Sequence, residues 1–129
     1  MKGMLDYIYT AKVFHLFDET TQQKMAERLL DLLGALKSSG DEPGSRDYIM
    51  FGMHEGQEQE QVMKSRFSST RYLHSPTSWT KMWSSVLERK YGEEWVKLHV
   101  KQDAYLGNVH QFSGHPIYRD FLWSVHITV

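Results

Sequence analysis

Two histidines of this 129-residue chain stand among hydroxyls and a tyrosine at the two-residue spacing of an extended strand. Between Arg66 and His74, the side chains of Arg66, Ser68, Thr70, Tyr72 and His74 fall on one face, while Phe67 and Leu73 fall on the other. In the last nine residues, Leu122, Ser124, His126 and Thr128 oppose Phe121, Trp123, Val125, Ile127 and Val129. Collected on one sheet face, these polar groups form a donor-rich surface. A guanidinium offers a fork of donors to phosphate, hydroxyls add short hydrogen bonds, tyrosine stacks on a base, and an imidazole near neutrality exchanges a proton. The candidate ligand-binding set is Arg66, Thr70, Tyr72, His74, Ser124, His126 and Thr128. The ligand class that uses all of these together is a nucleotide, a short single-stranded nucleic acid or another phosphate-bearing molecule. No catalytic residue is fixed by spacing.

The C-terminal His126-Ile127-Thr128-Val129 resembles one copy of the H-x-T-hydrophobic motif of the 2H phosphoesterases. The resemblance covers four residues, and that family uses two copies. His74-Ser75-Pro76-Thr77 has a different spacing and a proline, and His15-Leu16-Phe17 lacks the hydroxyl. It implies a metal-free phosphodiesterase in which His74 and His126 face each other across one pocket. His99, His110 and His115 have no companion carboxylate at ligand spacing, so no metal is expected, and no cofactor is implied. No Gly-x-Ser-x-Gly elbow positions a serine nucleophile. With 0 Cys, disulfides, thiolate zinc sites and cysteine nucleophiles are absent together.

The formal net charge of −1 supplies no sustained positive field for unspecific binding to nucleic acid or to an anionic membrane. A hydrophobic fraction of 40% with 4 Trp is that of a folded protein rather than a disordered one. One α+β domain over 1–129 is the expectation at this length. The opening Met1-Lys2-Gly3-Met4-Leu5-Asp6 meets charges before any long apolar run, so neither a signal peptide nor a membrane span is expected, and the location is read as cytoplasmic.

The elements that must position these groups are legible in outline. Leu5 to Phe17 reads as a strand with Tyr7, Tyr9, Ala11, Val13 and Phe17 inward and Thr10 and Lys12 outward. Thr20 and Gln23 form a capping-box pattern ahead of a helix carrying Met25, Leu29, Leu32, Leu33 and Leu36, which Ser38-Ser39-Gly40 ends before the loop Asp41-Glu42-Pro43-Gly44-Ser45. Asp47 to Met53 is a second, central strand, with Ile49, Phe51 and Met53 inward and Tyr48, Met50 and Gly52 opposite. Glu55-Gly56-Gln57-Glu58-Gln59-Glu60-Gln61 has no apolar residue and reads as a solvated loop, or as an acidic surface for a protein partner. Arg66 to His74 is a third strand at an edge. Ser75-Pro76 starts a helix with Trp79, Met82, Trp83, Val86 and Leu87 on one stripe, closed by Tyr91-Gly92. Glu93 to Val100 starts another, and a short strand lies around Val109 to Phe112.

Strand, helix, strand, strand, helix, strand is the split β-α-β order. The fold class is therefore α+β: an antiparallel sheet of about four to five strands with two to three helices on one face, an elaborated ferredoxin-like sandwich. The uncovered face would also carry Thr10, Lys12, Tyr48 and Met50. Three functions fit it: an intracellular binder of a phosphate-bearing ligand, a homo-oligomeric interaction or inhibitor protein that buries the face against a protein partner or in a homodimer, and the phosphodiesterase above.

Overall fold

The computed structural model describes residues 7–33, 47–64, 70–111 and 117–128. Strand β1 (Tyr7–Ala11) leads through a 3-10 turn (Phe14–Leu16) into α1 (Glu19–Leu32) and returns as β2 (Asp47–Gly56). Then follow β3 (Gln61–Lys64), β4 (Thr70–Leu73), α2 (Pro76–Tyr91), α3 (Glu93–His99), β5 (Val100–His110) and β6 (Tyr118–Thr128). The described strands form a four-stranded sheet in the order β1-β2-β6-β5 and a separate two-stranded hairpin, β3-β4. β1 runs parallel to β2, whereas β6 runs antiparallel to both β2 and β5. A parallel neighbour cannot be reached by a tight turn, so α1 is the crossover that joins β1 to β2.

Local chemistry sets the helix starts. Asp18 caps α1 by accepting from the Thr21 amide at 2.8 Å, in place of the capping box expected from Thr20 and Gln23. Ser75 caps α2 with a reciprocal Ser75–Ser78 box and Pro76 in the first turn, as its sequence implied. α1 ends at Leu32, short of the Ser38-Ser39-Gly40 stop, which lies with Leu36 and the Asp41–Ser45 loop outside the described residues.

One face of the sheet carries Ile8, Tyr48, Met50, Phe121, Trp123, Val125 and Ile127 into the core, under Ala26 and Leu30 of α1 and Trp79, Trp83, Val86 and Leu87 of α2. Trp83 stacks on Trp123 at 5.6 Å between ring centroids, and Trp79 meets Phe14 edge-on at 5.0 Å. Each such indole removes a large apolar area from water. The stripe expected on α2 is buried in full.

Several expectations are corrected. The sheet is mixed, not purely antiparallel, and the Arg66–His74 segment supplies β4 to a hairpin instead of a strand to the main sheet; an α+β architecture stands, in a strand order unlike the ferredoxin-like one. The inward parity of β1 and β2 is also reversed. Ile8, Tyr48 and Met50 are buried, while Tyr7, Tyr9 and Phe51 are exposed. Tyr9 and Phe51 are register partners, with ring centroids 5.1 Å apart on the outer face. Lys12 adopts φ 55 and ends the strand, so Val13 and Phe17 never join its alternation. Gly52 allows the close approach of β1: a Cβ there would stand 2.1 Å from the Thr10 carbonyl oxygen. Finally, β5 extends over Val100–His110 where only a short strand near Val109 was expected.

Among the described residues no helix is long and apolar enough to cross a membrane. Trp83→Ala is expected to cost about 3–5 kcal/mol, because Trp83 is fully buried. Lys24→Ala on the exposed side of α1 should stay within about 0.5 kcal/mol. Urea unfolding followed by tryptophan fluorescence measures both, and equal midpoints would remove the aromatic core as the seat of stability.

Candidate functional site

Among the described residues, those singled out from sequence are not gathered on one surface. Arg66 and Ser68 lie outside the described residues. Thr70 is exposed at the start of β4. Tyr72 is bonded through its backbone, its amide donating to the Phe17 carbonyl at 2.9 Å. His74 is buried against Trp79 and Tyr72, with Nδ1 at 2.9 Å from Ser78 Oγ. Burial pushes its imidazole down to about 4, against a smaller opposing pull from Glu60. Ser124, His126 and Thr128 do share the outer face of β6. There His126 Nε2 and Thr128 Oγ1 both turn to Asp47 Oδ1, at 3.3 and 3.1 Å. A carboxylate at the centre of that group opposes a phosphate. The outer face is also more apolar than expected, with a groove of about 300 Å³ lined by Tyr9, Phe51, Tyr105, Leu122 and Ser124 among others, and with Tyr48 and Met50 on the buried side.

A tighter constellation forms at the C-terminal ends of the parallel pair β1 and β2, the place where open sheets with crossover helices leave a crevice. The Lys12 amide donates to the Met53 carbonyl at 2.7 Å, keeping the chain against β2 beyond the end of β1. The 3-10 turn then buries Phe14 and His15. Glu55, near the end of β2, meets both imidazole nitrogens. Its amide donates to His15 Nδ1 at 3.2 Å, and its carboxylate Oε2 lies 3.6 Å from His15 Nε2. With Nδ1 occupied as an acceptor, the neutral ring carries its proton on Nε2 and presents it to the carboxylate. Arg71 of β4 donates from Nη1 to the same Oε2 at 2.9 Å.

Gln22, fully buried on α1, fixes how β4 reaches this place. Its Nε2 donates to the carbonyls of Phe17 and Tyr72 at 3.0 and 2.8 Å, tying the segment after the turn to the residue next to Arg71. Burial lowers the His15 pKa; Glu55 opposes that, while Arg71 and Lys12 add to it. His54, one residue before Glu55, points into the core, stacked on Phe121 at 4.8 Å, and burial holds it well below the usual histidine value. The arrangement is a partly buried carboxylate held by one guanidinium and faced by one imidazole, able to accept a further hydrogen bond or a proton.

A cleft of about 490 Å³ begins two residues on, lined by Gln57 to Gln61, Val109, Ile117 and Arg119. Arg119 is committed to Glu58 at 3.2 Å and to the Gly107 carbonyl. The acidic segment from Glu55 to Gln61 thus ends one strand, walls a cleft and begins another; it is not merely a solvated loop. No group of acids and histidines that could hold a metal occurs among the described residues.

His15, Glu55 and Arg71 are absent from the expected site set. A strand read two residues further, past Met53 to Glu55, is the signal that would have pointed to them.

No family model and no solved structure matches the chain. Among curated proteins it is similar to the methyltransferase adrK of Penicillium roqueforti, with 29% identity over 117 residues covering 88% of this chain and 38% of that protein. It is also similar to the O-methyltransferase phiE of Fungal sp. (strain ATCC 74256), with 32% identity over 97 residues covering 74% of this chain and 29% of that protein. The match therefore spans well under half the length of either relative. These similarities overturn the expected binding of a nucleotide or other phosphate-bearing ligand, together with the alternatives of an inhibitor protein and of a phosphodiesterase using His74 and His126.

The buried histidines make stability depend on pH. His74 titrates near 4 when folded and near 6.5 when unfolded, so between those values the unfolded chain binds a proton that the native state refuses. Stability is therefore complete above about 6.5 and falls as the pH drops towards about 4, by on the order of 3 kcal/mol for this group. His54 and His15 act in the same direction. Urea midpoints at pH 7.5 and 4.5 should differ accordingly, with a smaller difference in His74→Gln; a native state more stable at pH 4.5 would show these imidazoles to be charged when folded.

Proposed function

We propose that the chain is the acceptor-activating part of an O-methyltransferase, with Glu55 as the group that receives the hydroxyl proton. The observation that carries this is the 32% identity to an O-methyltransferase over 74% of the chain. The geometry supports it, because Glu55, His15 and Arg71 meet at the C-terminal ends of β1 and β2.

In O-methyl transfer a hydroxyl oxygen attacks the methyl carbon, the new O–C bond forms as the bond from donor to methyl breaks, and the donor leaves with that electron pair. The hydroxyl proton must go elsewhere. Glu55 offers its carboxylate to that hydroxyl, aligning the oxygen lone pair and taking the proton as the oxygen loses charge to the new bond. Arg71 holds the carboxylate from behind, and His15 Nε2 stands 3.6 Å from the same oxygen. The adjoining cleft, with amides and acids on one wall and Val109 and Ile117 on the other, accommodates a neutral acceptor with an apolar body. Most of each relative's length lies outside the match.

The test is methyl transfer to a panel of phenols and alcohols by this sequence, alone and grafted in place of the matched segment of the phiE O-methyltransferase. The graft is expected to transfer methyl groups, and Glu55→Gln to slow it by about 10²–10⁴-fold, the usual contribution of a positioned proton acceptor. A folded graft that keeps its full rate after Glu55→Gln would place proton removal elsewhere.

A further inference from the structure

One carboxylate oxygen is claimed by two partners. Glu55 Oε2 lies 2.9 Å from Arg71 Nη1 and 3.6 Å from His15 Nε2. The first distance is that of a charge-assisted hydrogen bond; the second is beyond one. Arg71 is not a loose surface cation: its side chain is 21% exposed, and its Nε is buried without a hydrogen-bond partner among the described residues. Its place on β4 is fixed from both sides, since the Tyr72 amide donates to the Phe17 carbonyl and the Tyr72 carbonyl accepts from buried Gln22.

We propose that Arg71 is a positioning residue, which by taking the near share of the Glu55 carboxylate keeps it from closing onto His15 and leaves it turned to an incoming hydroxyl. This rests on the function assigned to Glu55 above. Without Arg71 the carboxylate is free to close onto the ring, and only burial and Lys12 still oppose a full His15–Glu55 ion pair, in which the imidazole becomes a cation and the carboxylate is consumed by it. An arginine suits the task better than a lysine, because a planar fork fixes direction as well as charge.

The groups facing His15 are Glu55 from β2, Arg71 from β4 and Lys12 at the end of β1, with the neutral ring of His54 at 6.3 Å. The experiment follows the imidazole of His15 by NMR titration of the intact chain, assigned by its loss in His15→Gln, and needs no methyl transfer. In Arg71→Met the midpoint should rise by about one unit or more as the carboxylate pairs with the ring. In the double variant Glu55→Gln with Arg71→Met, compared with Glu55→Gln alone, the rise should be much smaller. Arg71→Lys should fall between wild type and Arg71→Met, and it serves as the second variant where the methionine does not fold.

An unmoved midpoint in folded Arg71→Met or Arg71→Lys would overturn the proposal. So would an equal rise in the Glu55→Gln background, which would mean that Arg71 acts on His15 through its field alone and not through the carboxylate. A coupled shift in the intact chain, beside a folded graft that transfers no methyl group, would leave the positioning intact and remove the assigned function instead.

Discussion

Parallel pairing of β1 with β2 is the constraint on which the rest depends. Two parallel neighbours force a long connection, and here that connection is the 3-10 turn followed by α1. It also brings both C-terminal strand ends to the same edge. His15 enters through the turn after β1 and Glu55 through the last residues of β2, so residues 40 apart in sequence come within hydrogen-bonding distance without a dedicated loop. The β3-β4 hairpin then reaches back to that edge, and its backbone bond to Phe17 delivers Arg71. One topological choice therefore sets three charged or titratable groups together.

The aromatic core makes this edge rigid. Phe14 of the turn, His54 of β2, Trp79 of α2 and Phe121 of β6 are all within ring-contact distance of one another or of a shared neighbour. Gly56 passes so close to Phe121 and the His74 carbonyl that an added Cβ would meet them at 2.5 and 2.9 Å. Close packing of this kind leaves a side chain few alternative rotamers. Glu55 lies between these buried neighbours in the chain, flanked by His54 and Gly56, so its backbone is fixed while its side chain faces outward. The contrast between adjacent histidine and glutamate follows from strand alternation alone.

Much of this was legible in the sequence, and the failures have physical causes. The α2 stripe and its Ser75-Pro76 start were readable because five large apolar residues at helical spacing admit one solution. The last strand was readable because Phe121, Trp123, Val125 and Ile127 share a parity against which only Leu122 is apolar. β1 and β2 were misread because both parities carry apolar residues. Tyr7, Tyr9 and Phe51 bring more aromatic area than Ile8 and Met50, yet a tyrosine tolerates water through its hydroxyl, and a cross-strand aromatic pair such as Tyr9 with Phe51 is stable on an outer face. The site was missed for a related reason. Its acid sits at the head of an acidic, amide-rich run, whose composition resembles a loop even though its first two residues complete a strand. Arg71 falls on the parity of Phe67 and Leu73, the side assigned to the core, so the two-residue period chose Arg66 and passed Arg71 over.

Energetic scale separates what holds the fold from what equips the site. A buried indole contributes several kcal/mol through area and packing, and Trp79 and Trp83 are both essentially inaccessible to water. The Arg71–Glu55 pair, each side chain about one-fifth exposed, belongs to a different scale. Bringing two charges partly out of water costs free energy that their attraction largely offsets, and well-packed apolar residues of similar volume commonly do as well or better for stability. Stability is therefore a poor reason for an arginine, a glutamate and a histidine to converge at the end of a parallel strand pair. What such a trio provides that leucines cannot is a carboxylate of fixed direction, one oxygen held by Arg71 and faced by His15, a group able to receive a further hydrogen bond.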